Sequence, residues 1–317
     1  MSRRVTVEEA AARLREADDI LLLMHQYPDG DAIGCGYGLA FALQSLGKRV
    51  KPLCADEIPQ KYDYLTEGAQ FPDFEPRFIC AVDVADPKLL GPLADLGRRA
   101  DLCIDHHATH VEYAKELLLD ATCGAAAMVV YQVMEALGVT LDRRMAECLY
   151  TGIATDTGCF KYPSTTPLAH RMAADLMECD VRHGFINELM FDRKSRARIE
   201  LERMALDGMR YFFDGRCAVM TITNEMMAAA AATENDMEGL APIPRQIEGV
   251  WVGVTLRQKA DGNYKVSIRT GAKADASAIA AKLGGGGHKG AAGCTVSGTQ
   301  EEAIATILSA VQASINV

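Results

Sequence analysis

The amino-acid sequence predicts an α/β protein in which a larger domain with a parallel sheet is joined by a helical connector to a smaller α+β domain with a mixed sheet. Three observations lead to this prediction. Continuous apolar runs alternate with helix-like stretches in the first half, as in parallel sheets covered on both faces. Strands of alternating apolar and polar residues occupy the last third. The length of 317 residues also exceeds that of most single domains.

The elements of the larger domain are predicted from the first residues onward. A helix is expected at the start, because Thr6 and Glu9 have the spacing of a capping box ahead of an apolar stripe. Strands are predicted at 20–24, 49–54, 77–86 and 101–107, and helices at 32–47, 87–97, 124–155 and 167–208. The last helix ends in a charged segment that is typical of a connector.

The smaller domain has a different pattern. Strands are predicted at 216–223, 251–258 and 264–270, a short helix at 278–283 and an amphipathic helix at 299–315. We therefore expect the larger domain to cover 1–190, the connector 191–210 and the smaller domain 211–317.

Composition and charge argue against several classes of protein. With 49% apolar and 24% charged residues, the chain resembles ordinary globular proteins. Its net charge of −10 argues against coating long nucleic acid, but a short anionic substrate is allowed because bound cations reverse the local potential. No run approaches the roughly 20 apolar residues of a membrane span, and the charged start is not a signal peptide, so a cytoplasmic protein without membrane contact is expected.

The ten cysteines are interpreted as buried, reduced thiols. They lack paired CxxC spacing, which argues against a structural zinc site built from thiolates. Cys35 is assigned a packing role, because nothing in the sequence pairs it with an activating base.

Polar residues follow the predicted strands at the points where the apolar runs end. The residues concerned are His25, Asp29, Asp31, Asp83, Asp105, His106 and His107, with Asp156 at the end of a predicted helix. Because ligands of open α/β sheets bind beyond the carboxyl ends of the strands, we expect these side chains to share one crevice. Each aspartate alone has an ordinary alternative as a turn or cap residue, and Asp31 in particular could cap a helix that begins at Ala32.

This combination of residue types points to divalent metal ions. Carboxylates and imidazoles without a thiolate suit manganese or magnesium rather than a soft metal. The excess of carboxylates suggests two ions, which can share a bridging carboxylate and together hold a phosphoryl group.

Five segments carry a resemblance to a known family. HQYPDGDAIG, AVDVAD, IDHH and GIATDTGCF resemble, in order, the four signature segments of the DHH phosphoesterase superfamily, and GGGGHKGAAG is similar to the glycine-rich signature of the DHH-associated C-terminal domain. The resemblance spans essentially the whole chain and is highly specific. It implies a Rossmann-like catalytic domain over 1–190 and a substrate-binding domain over 211–317.

The resemblance also implies roles for individual residues. One metal would be held by His25, Asp29 and Asp83 and the other by Asp31, Asp83, His106 and Asp156, with Asp83 as the bridge. Manganese is the expected ion, with magnesium or cobalt as alternatives. His107 would face the substrate, either orienting phosphate or assisting the leaving oxygen. Asp105 is expected to accept a proton from a metal-binding imidazole and so to fix its orientation.

In the C-terminal domain, the resemblance implies a substrate-binding role for the glycine-rich segment. The predicted residues are Gly285, Gly286, Gly287, His288 and Lys289, together with Arg269, whose family counterpart is directed at a terminal phosphate. Glycines let a backbone approach an anion closely and present its N–H groups. The ordinary alternative is a flexible turn. Weaker candidates are Arg257, Lys161 and Arg196 for phosphate and Phe160, Tyr162 and Tyr264 for base stacking.

Among family members of this layout, the chain resembles the nanoRNase and phosphoadenosine-phosphate phosphatase type. That implies hydrolysis of RNA of a few nucleotides and of 3′-phosphoadenosine 5′-phosphate, and a homodimer as a family-level expectation. Cyclic-dinucleotide and linear-dinucleotide phosphodiesterases remain alternatives, and a non-catalytic nucleotide-binding module is a further one. Lys161, where many relatives have arginine, and the segment ATCGAAAMVV depart from the family pattern, which leaves substrate preference open.

Overall fold

The computed structural model describes residues 2–237 and 239–315. It divides the chain into two compact units, one ending at Arg193 and the other beginning at Lys194. The predicted division into 1–190, 191–210 and 211–317 stays a prediction. None of the helices in the described ranges combines the length and apolar character that crossing a bilayer requires.

The first unit is built on a six-stranded sheet in which every pairing is parallel, in the order β1-β6-β5-β4-β2-β3. Its strands are β1 (Arg3–Arg4), β2 (Ile20–Leu23), β3 (Val50–Leu53), β4 (Phe78–Val82), β5 (Leu102–Asp105) and β6 (Glu116–Leu119). Its helices are α1 (Val7–Glu16), α2 (Gly30–Ser45), α3 (Asp63–Thr66), α4 (Ala94–Gly97), α5 (Ala126–Ala136), α6 (Arg143–Asp156), α7 (Pro167–Met177) and α8 (His183–Asn187). Short 3-10 or π turns lie at Gln60–Tyr62, Pro87–Leu93 and Glu188–Asp192.

The sheet is covered on both faces, as its apolar strands predicted. Along β2, Ile20 and Leu22 belong to one buried cluster, whereas Leu21 and Leu23 belong to another. Successive side chains of a strand point to opposite faces, so two separate clusters mean that each face has its own core. The predicted capping box is confirmed as well, since the Thr6 hydroxyl accepts from Glu9 N and Glu9 accepts from Thr6 N.

Several elements differ from the prediction. The strands β1 and β6 were not predicted, because each is short and lies next to charged residues. The stretch 87–97 is not one helix, since Gly91 adopts φ +58° and interrupts it. The stretch 124–155 is two helices, because Gly138 has φ +73° and Asp142 then caps α6. The stretch 167–208 is likewise divided, with Asp180 in a left-handed conformation at φ +65°.

Helix α2 packs closely on α6, and this contact fixes the position of the start of α2. A Cβ atom on Gly34 would lie 2.3 Å from Cys148 O, so the two helix backbones are nearly in contact there. A Cβ atom on Gly152 would lie 2.7 Å from Asp31 Oδ1. Glycine is therefore required at both positions, and this packing holds the start of α2 against the last turns of α6.

The second unit is α+β with a mixed six-stranded sheet, in the order β11-β12-β10-β9-β8-β7, in which only β8 and β9 among these strands pair in parallel. Its strands are β7 (Arg210–Phe212), β8 (Cys217–Ile222), β9 (Val252–Gln258), β10 (Tyr264–Thr270), β11 (Gly286–His288) and β12 (Ala291–Val296). Its helices are α9 (Arg196–Asp207), α10 (Asn224–Ala229), α11 (Ala276–Ala281) and α12 (Gln300–Gln312). Helix α9 lies in the predicted connector and packs Leu201 and Ala205 with Met220 of β8.

The cysteines are free thiols, as predicted. None of the ten forms a disulfide, and seven of them are buried. Burial raises the pKa of the Cys35 thiol well above its ordinary value. The charge of the nearby Asp31 carboxylate is the next largest cause and raises this pKa further. A thiol in this state is not a nucleophile, which agrees with the packing role assigned to it.

Candidate metal centre

The structure brings the predicted polar residues to one edge of the parallel sheet. His25 follows β2, Asp83 follows β4, and Asp105 and the two following histidines end β5. These three strands are neighbours in the sheet and run in the same direction. Their carboxyl ends therefore meet at the same edge, as expected for an open α/β sheet.

Asp29, Asp31 and Asp156 reach the same edge from helices. Asp29 caps α2 by accepting from the N–H groups of Asp31 and Ala32, each at 3.1 Å. The predicted alternative, in which Asp31 caps a helix beginning at Ala32, is wrong because the helix already begins at Gly30. Asp156 is the last residue of α6, and the α2–α6 contact carries it to the start of α2.

A first set of possible ligands consists of His25, Asp29 and Asp83. His25 Nε2 lies 3.7 Å from Asp29 Oδ1 and 3.6 Å from Asp83 Oδ2. On the other side of the ring, Nδ1 lies 2.8 Å from the carbonyl oxygen of Gln26 and can donate to it. With Nδ1 as the donor, the lone pair of neutral His25 is on Nε2 and faces the carboxylates, which is the arrangement that a metal ion requires.

A second set consists of Asp31, His106 and Asp156. His106 Nε2 lies 3.9 Å from Asp31 Oδ2 and 3.4 Å from Asp156 Oδ2. It also lies 3.7 Å from Asp83 Oδ1, so the two oxygens of Asp83 face the two sets. His106 repeats the pattern of His25, since its Nδ1 lies 3.2 Å from Cys123 O.

The buried carboxylates are oriented by the backbone. Asp31 is fully buried and accepts from Ala126 N at 2.6 Å and Ala127 N at 2.9 Å, at the start of α5. The positive end of that helix dipole stabilises the negative charge. Asp83 has φ +58°, a left-handed conformation that is rare for a residue with a Cβ atom. Such strain at the end of a buried strand is typical of a functional site.

The electrostatics of the cluster favour cations. Burial raises the pKa of Asp83 to about 6 and, together with the charges of Asp83 and Asp156, raises that of Asp31 well above its ordinary range. Burial lowers the pKa of His25, but the carboxylates of Asp29 and Asp83 that face its ring raise it to about 11 overall. Asp83 Oδ1 and His106 Nε2 are buried without a hydrogen-bond partner in the described chain. Such oxygens and nitrogens fit bound divalent metal ions, which would satisfy both atoms and screen the carboxylates.

Asp105 does not have the partner that was predicted. Its Oδ1 accepts from His107 Nδ1 at 2.8 Å and from His106 N at 2.8 Å, so it orients the ring of His107 rather than that of the candidate ligand His106. The physical reason is that Nδ1 of His106 lies 3.2 Å from Cys123 O and is engaged there, whereas Nδ1 of His107 is within hydrogen-bond distance of Asp105. The hydrogen bond to Asp105 raises the pKa of His107.

His110 is a residue that the sequence analysis missed. Its side chain is fully buried, with Nε2 3.4 Å from Cys103 Sγ and 3.9 Å from Asp105 Oδ2. The N–H of Glu112 donates to Nδ1 at 2.8 Å, so the ring proton is on Nε2 and faces Asp105. The signal available in the sequence was a third histidine three positions after the DHH triplet.

The predicted substrate residues of the second unit lie on one edge of its sheet. The glycine-rich segment is an edge strand, β11, with Gly287 opposite Ala292 and His288 opposite Ala291. The alternative of a flexible turn is therefore wrong. A Cβ atom on Gly285 would lie 2.2 Å from Gly293 O, which explains why the segment needs glycine there. His288 and Lys289 are exposed, and Arg269 lies on β10, the other neighbour of β12.

The weaker candidates have mixed environments. Tyr264 is buried in the core, at 4% exposure, so it is not available for stacking. Arg257 forms an ion pair with Glu234 at 2.8 Å. Phe160 stacks on His170, with ring centres 5.1 Å apart, whereas Tyr162 is exposed. Lys161 lies over the ring of Phe191, at 5.9 Å, and Arg196 is exposed. The burial of Tyr264 argues against its predicted stacking role. The roles of the other five residues stay predictions.

Comparison with known protein families gives two matches. Residues 19–153 match the model described as the DHH family, N-terminal domain. Residues 215–316 match the model described as the DHHA1 domain. Each match lies within one of the two compact units.

Curated relatives include a bifunctional oligoribonuclease and PAP phosphatase of Thermus thermophilus. It is 33% identical over 92% of this chain and 89% of its own length. A cyclic-di-AMP phosphodiesterase of Geobacillus thermodenitrificans is 24% identical over 87% of this chain but only 44% of its own length.

Two solved structures share the fold. An exopolyphosphatase-related protein from Bacteroides fragilis matches with a TM-score of 0.87 and 25% identity, over 97% of this chain and 96% of that one. The Thermus thermophilus RecJ structure in complex with Mn²⁺ matches with a TM-score of 0.58 and 16% identity, over 97% of this chain and 54% of that one.

Proposed function

The chain belongs to the DHH family and is a phosphoesterase, and from that premise we propose that it hydrolyses very short RNA oligonucleotides and 3′-phosphoadenosine 5′-phosphate. One observation carries the chemistry. The two oxygens of Asp83 face two different histidines, at 3.6 Å from His25 Nε2 and 3.7 Å from His106 Nε2. A carboxylate placed between two ligand sets is the arrangement of a two-metal phosphoesterase.

The proposed ligands are the predicted ones. His25, Asp29 and Asp83 would hold one ion, and Asp31, Asp83, His106 and Asp156 would hold the other. When bound, the two ions supply the positive charge that offsets developing charge on the phosphoryl group and activate a water molecule. Manganese is the proposed ion, because a mixture of carboxylate and imidazole ligands suits it, with magnesium or cobalt as substitutes.

His107 is the proposed contact between the protein and the reacting phosphate. Its Nδ1 is held by Asp105, which leaves Nε2 as the nitrogen that can donate to a phosphate oxygen or to the leaving oxygen. Its side chain is 42% exposed, so a substrate can reach it. Asp105 is completely buried and fixes the ring, which reduces the entropy lost when the substrate binds.

The second unit is proposed to bind the substrate. Its outer strand β11 presents glycine backbone together with His288 and Lys289, and Arg269 adds a guanidinium nearby on the sheet. Guanidinium and ammonium groups beside exposed N–H groups are suited to phosphate. These cations belong to a chain with a net charge of −10, so they form a local site for a small anion rather than a track for long nucleic acid.

The relatives support this choice of substrates. A protein named oligoribonuclease and PAP phosphatase matches nearly the full length of this chain. The cyclic-di-AMP phosphodiesterase is the second candidate, with a lower identity and less than half of its own length matched. A homodimer is also proposed, on the family resemblance alone.

A substrate panel tests the proposal. Wild-type protein is treated with a chelator, supplied with Mn²⁺, and assayed on pApA, 3′-phosphoadenosine 5′-phosphate, cyclic di-AMP and pyrophosphate. We expect turnover of the first two substrates, no turnover in the chelator alone and restoration by Mn²⁺. Faster turnover of cyclic di-AMP than of pApA would favour the second candidate, and activity that is insensitive to the chelator would contradict the metal assignment.

A further inference from the structure

The second unit contains a cavity of about 370 Å³ that the proposed catalysis does not use. It lies at one end of the sheet, between the segment before β9 and the loop after β10. Its lining includes Arg245, Trp251, Gly271 and Lys273. A volume of this size accommodates a nucleotide-sized group.

The aromatic wall of the cavity is Trp251, which is the only tryptophan in the sequence. The guanidinium carbon of Arg216 lies 4.9 Å from the centre of its ring, and Lys273 Nζ lies 4.6 Å from it. Both distances are typical of cation–π contacts. An indole beside cations suits a ligand that combines an aromatic ring with negative charge, and a nucleotide is such a ligand.

Arg245 adds an unsatisfied donor to the wall. Its Nε is buried without a hydrogen-bond partner in the part of the chain that the structure describes. Its guanidinium packs on Gly271, where a Cβ atom would come within 2.3 Å of Nη2. The Nε atom is shielded from solvent, so a ligand would meet this guanidinium at its other nitrogens.

The charges around the cavity are not neutralised by the protein. Within residues 2–237 and 239–315, Arg216, Arg245 and Lys273 form no ion pair. Glu248 is the acidic residue of the lining, and its side chain is exposed. Three unpaired cations next to one cavity favour a phosphate-bearing ligand.

The cavity adjoins the predicted substrate residues. Thr270, directly after Arg269, donates its N–H to Gly290 O at 3.1 Å and its hydroxyl to Lys289 O at 2.7 Å. The next residue, Gly271, lines the cavity and donates to Trp251 O at 3.3 Å. One residue of backbone therefore separates the Arg269–Lys289 region from the cavity.

We propose that this cavity binds a second nucleotide of a short RNA, with its base taking the place of the Lys273 ammonium over Trp251 and its phosphate held by Arg245 and Lys273. The identity of the ligand rests on the proposed function. 3′-Phosphoadenosine 5′-phosphate has a single base and does not use the cavity, whereas a dinucleotide does.

The fluorescence of Trp251 reports binding directly, because no other tryptophan contributes. The full chain, kept in a chelator so that nothing is hydrolysed, is titrated with pApA, with AMP and with inorganic phosphate. We expect saturable quenching by pApA, and a loss of apparent affinity of about tenfold in Lys273→Ala and in Arg245→Met. Lys265→Ala is the control, because this lysine is exposed on β10 and away from the cavity lining.

Three results would overturn the inference: no saturable quenching by pApA, unchanged affinity in Lys273→Ala, or an equal response to inorganic phosphate, which would mark a simple anion site. Lys273 is exposed, so Lys273→Ala should fold. It keeps the inference testable if Arg245→Met does not fold.

Steady-state kinetics separate this inference from the proposed function. In Lys273→Ala, the KM for pApA should rise about tenfold while the KM for 3′-phosphoadenosine 5′-phosphate does not change. An equal rise for both substrates would contradict a second-nucleotide site. If wild-type protein hydrolysed neither substrate, the proposed function would fail, and the fluorescence titration would still decide whether the cavity binds pApA.

Discussion

The two units place their polar groups in opposite ways. The first unit buries the carboxylates of Asp31, Asp83 and Asp105, whose exposures are 0%, 3% and 0%. Among the described residues of the second unit no carboxylate is buried, and its candidate ligand-binding groups, His288 and Lys289, are exposed. A centre that gathers cations needs desolvated, oriented oxygens, whereas a surface that holds an anion needs only accessible N–H groups and cations.

This difference has an energetic consequence. Buried carboxylates that face one another destabilise the folded first unit until cations neutralise them. Cation binding should therefore stabilise the first unit, and the gain grows with ion concentration relative to the dissociation constant. The described residues of the second unit include no buried carboxylate, so its stability should not depend on the ions.

The largest expected effect comes from Asp83. In Asp83→Asn, kcat should fall at least about a thousandfold, because the neutral amide keeps only one oxygen and cannot bridge two ions. The thermal midpoint in a chelator should equal or exceed that of wild type, since one buried charge is removed, and stabilisation by Mn²⁺ should disappear. Activity assays and thermal unfolding with and without Mn²⁺ measure these changes.

Asp86→Asn is the matched control for Asp83. Asp86 caps the turn at Lys88 N and lies outside both ligand sets, so its variant should keep activity and stabilisation by Mn²⁺. If Asp83→Asn retained hydrolysis at a wild-type rate, the bridging assignment would be wrong.

The packing that assembles the first site should be the next most sensitive. Gly34→Ala should lower the free energy of unfolding by about 1–3 kcal/mol, because its Cβ would meet a backbone oxygen of α6. Gly38→Ala, one turn later, would approach Cys148 Cβ at 3.2 Å and should be nearly neutral. Denaturant titration of both variants measures the difference, and equal stabilities would show that α2 can move away from α6 without cost.

A smaller effect is expected at the edge of the second unit. In Gly285→Ala the new Cβ would meet Gly293 O, which should displace β11 and raise the KM for pApA about tenfold with kcat nearly unchanged. Gly208→Ala is the control from the same unit, because a Cβ there meets only ordinary contacts at 3.7 and 3.9 Å and the residue lies outside the glycine-rich segment. A KM unaffected by Gly285→Ala would argue against substrate binding at this edge.

The smallest effect concerns an ordinary buried ion pair. Burial raises the pKa of Glu147, but hydrogen bonds from Arg182 and Arg143 outweigh this effect and lower that pKa below its ordinary value. A depressed carboxyl pKa stabilises the fold above the unfolded pKa of about 4.3 and loses that contribution as the pH falls. Glu147→Gln should therefore cost about 1 kcal/mol near neutral pH and progressively less in acid.

Unfolding midpoints of wild type and Glu147→Gln across that pH range measure the effect. Glu200→Gln is the control from the second unit, because its pairing with Arg203 is exposed and its loss should not be measurable. A difference between wild type and Glu147→Gln that grew in acid would have the wrong sign for this explanation.

Much of the fold was predictable from local patterns. The buried strand β2 follows from its apolar run, and the first helix from the Thr6–Glu9 spacing. The strand β6 was missed because ELLL is short and one of its two partners, β1, is distant in sequence. The glycine-rich edge strand was also missed, since strand formation there depends on pairing with β12 rather than on the propensity of glycine.

The sequence by itself determined the kinds of elements and the residue types at their ends, because periodicity, caps and turns depend on near neighbours. Tertiary structure alone decided that Asp31 accepts from the N–H groups of Ala126 and Ala127, and that Asp156 faces His106. It also decided which oxygen of Asp83 faces which histidine. These facts depend on strand order and on the close contact of α2 with α6, which join residues that are far apart along the chain.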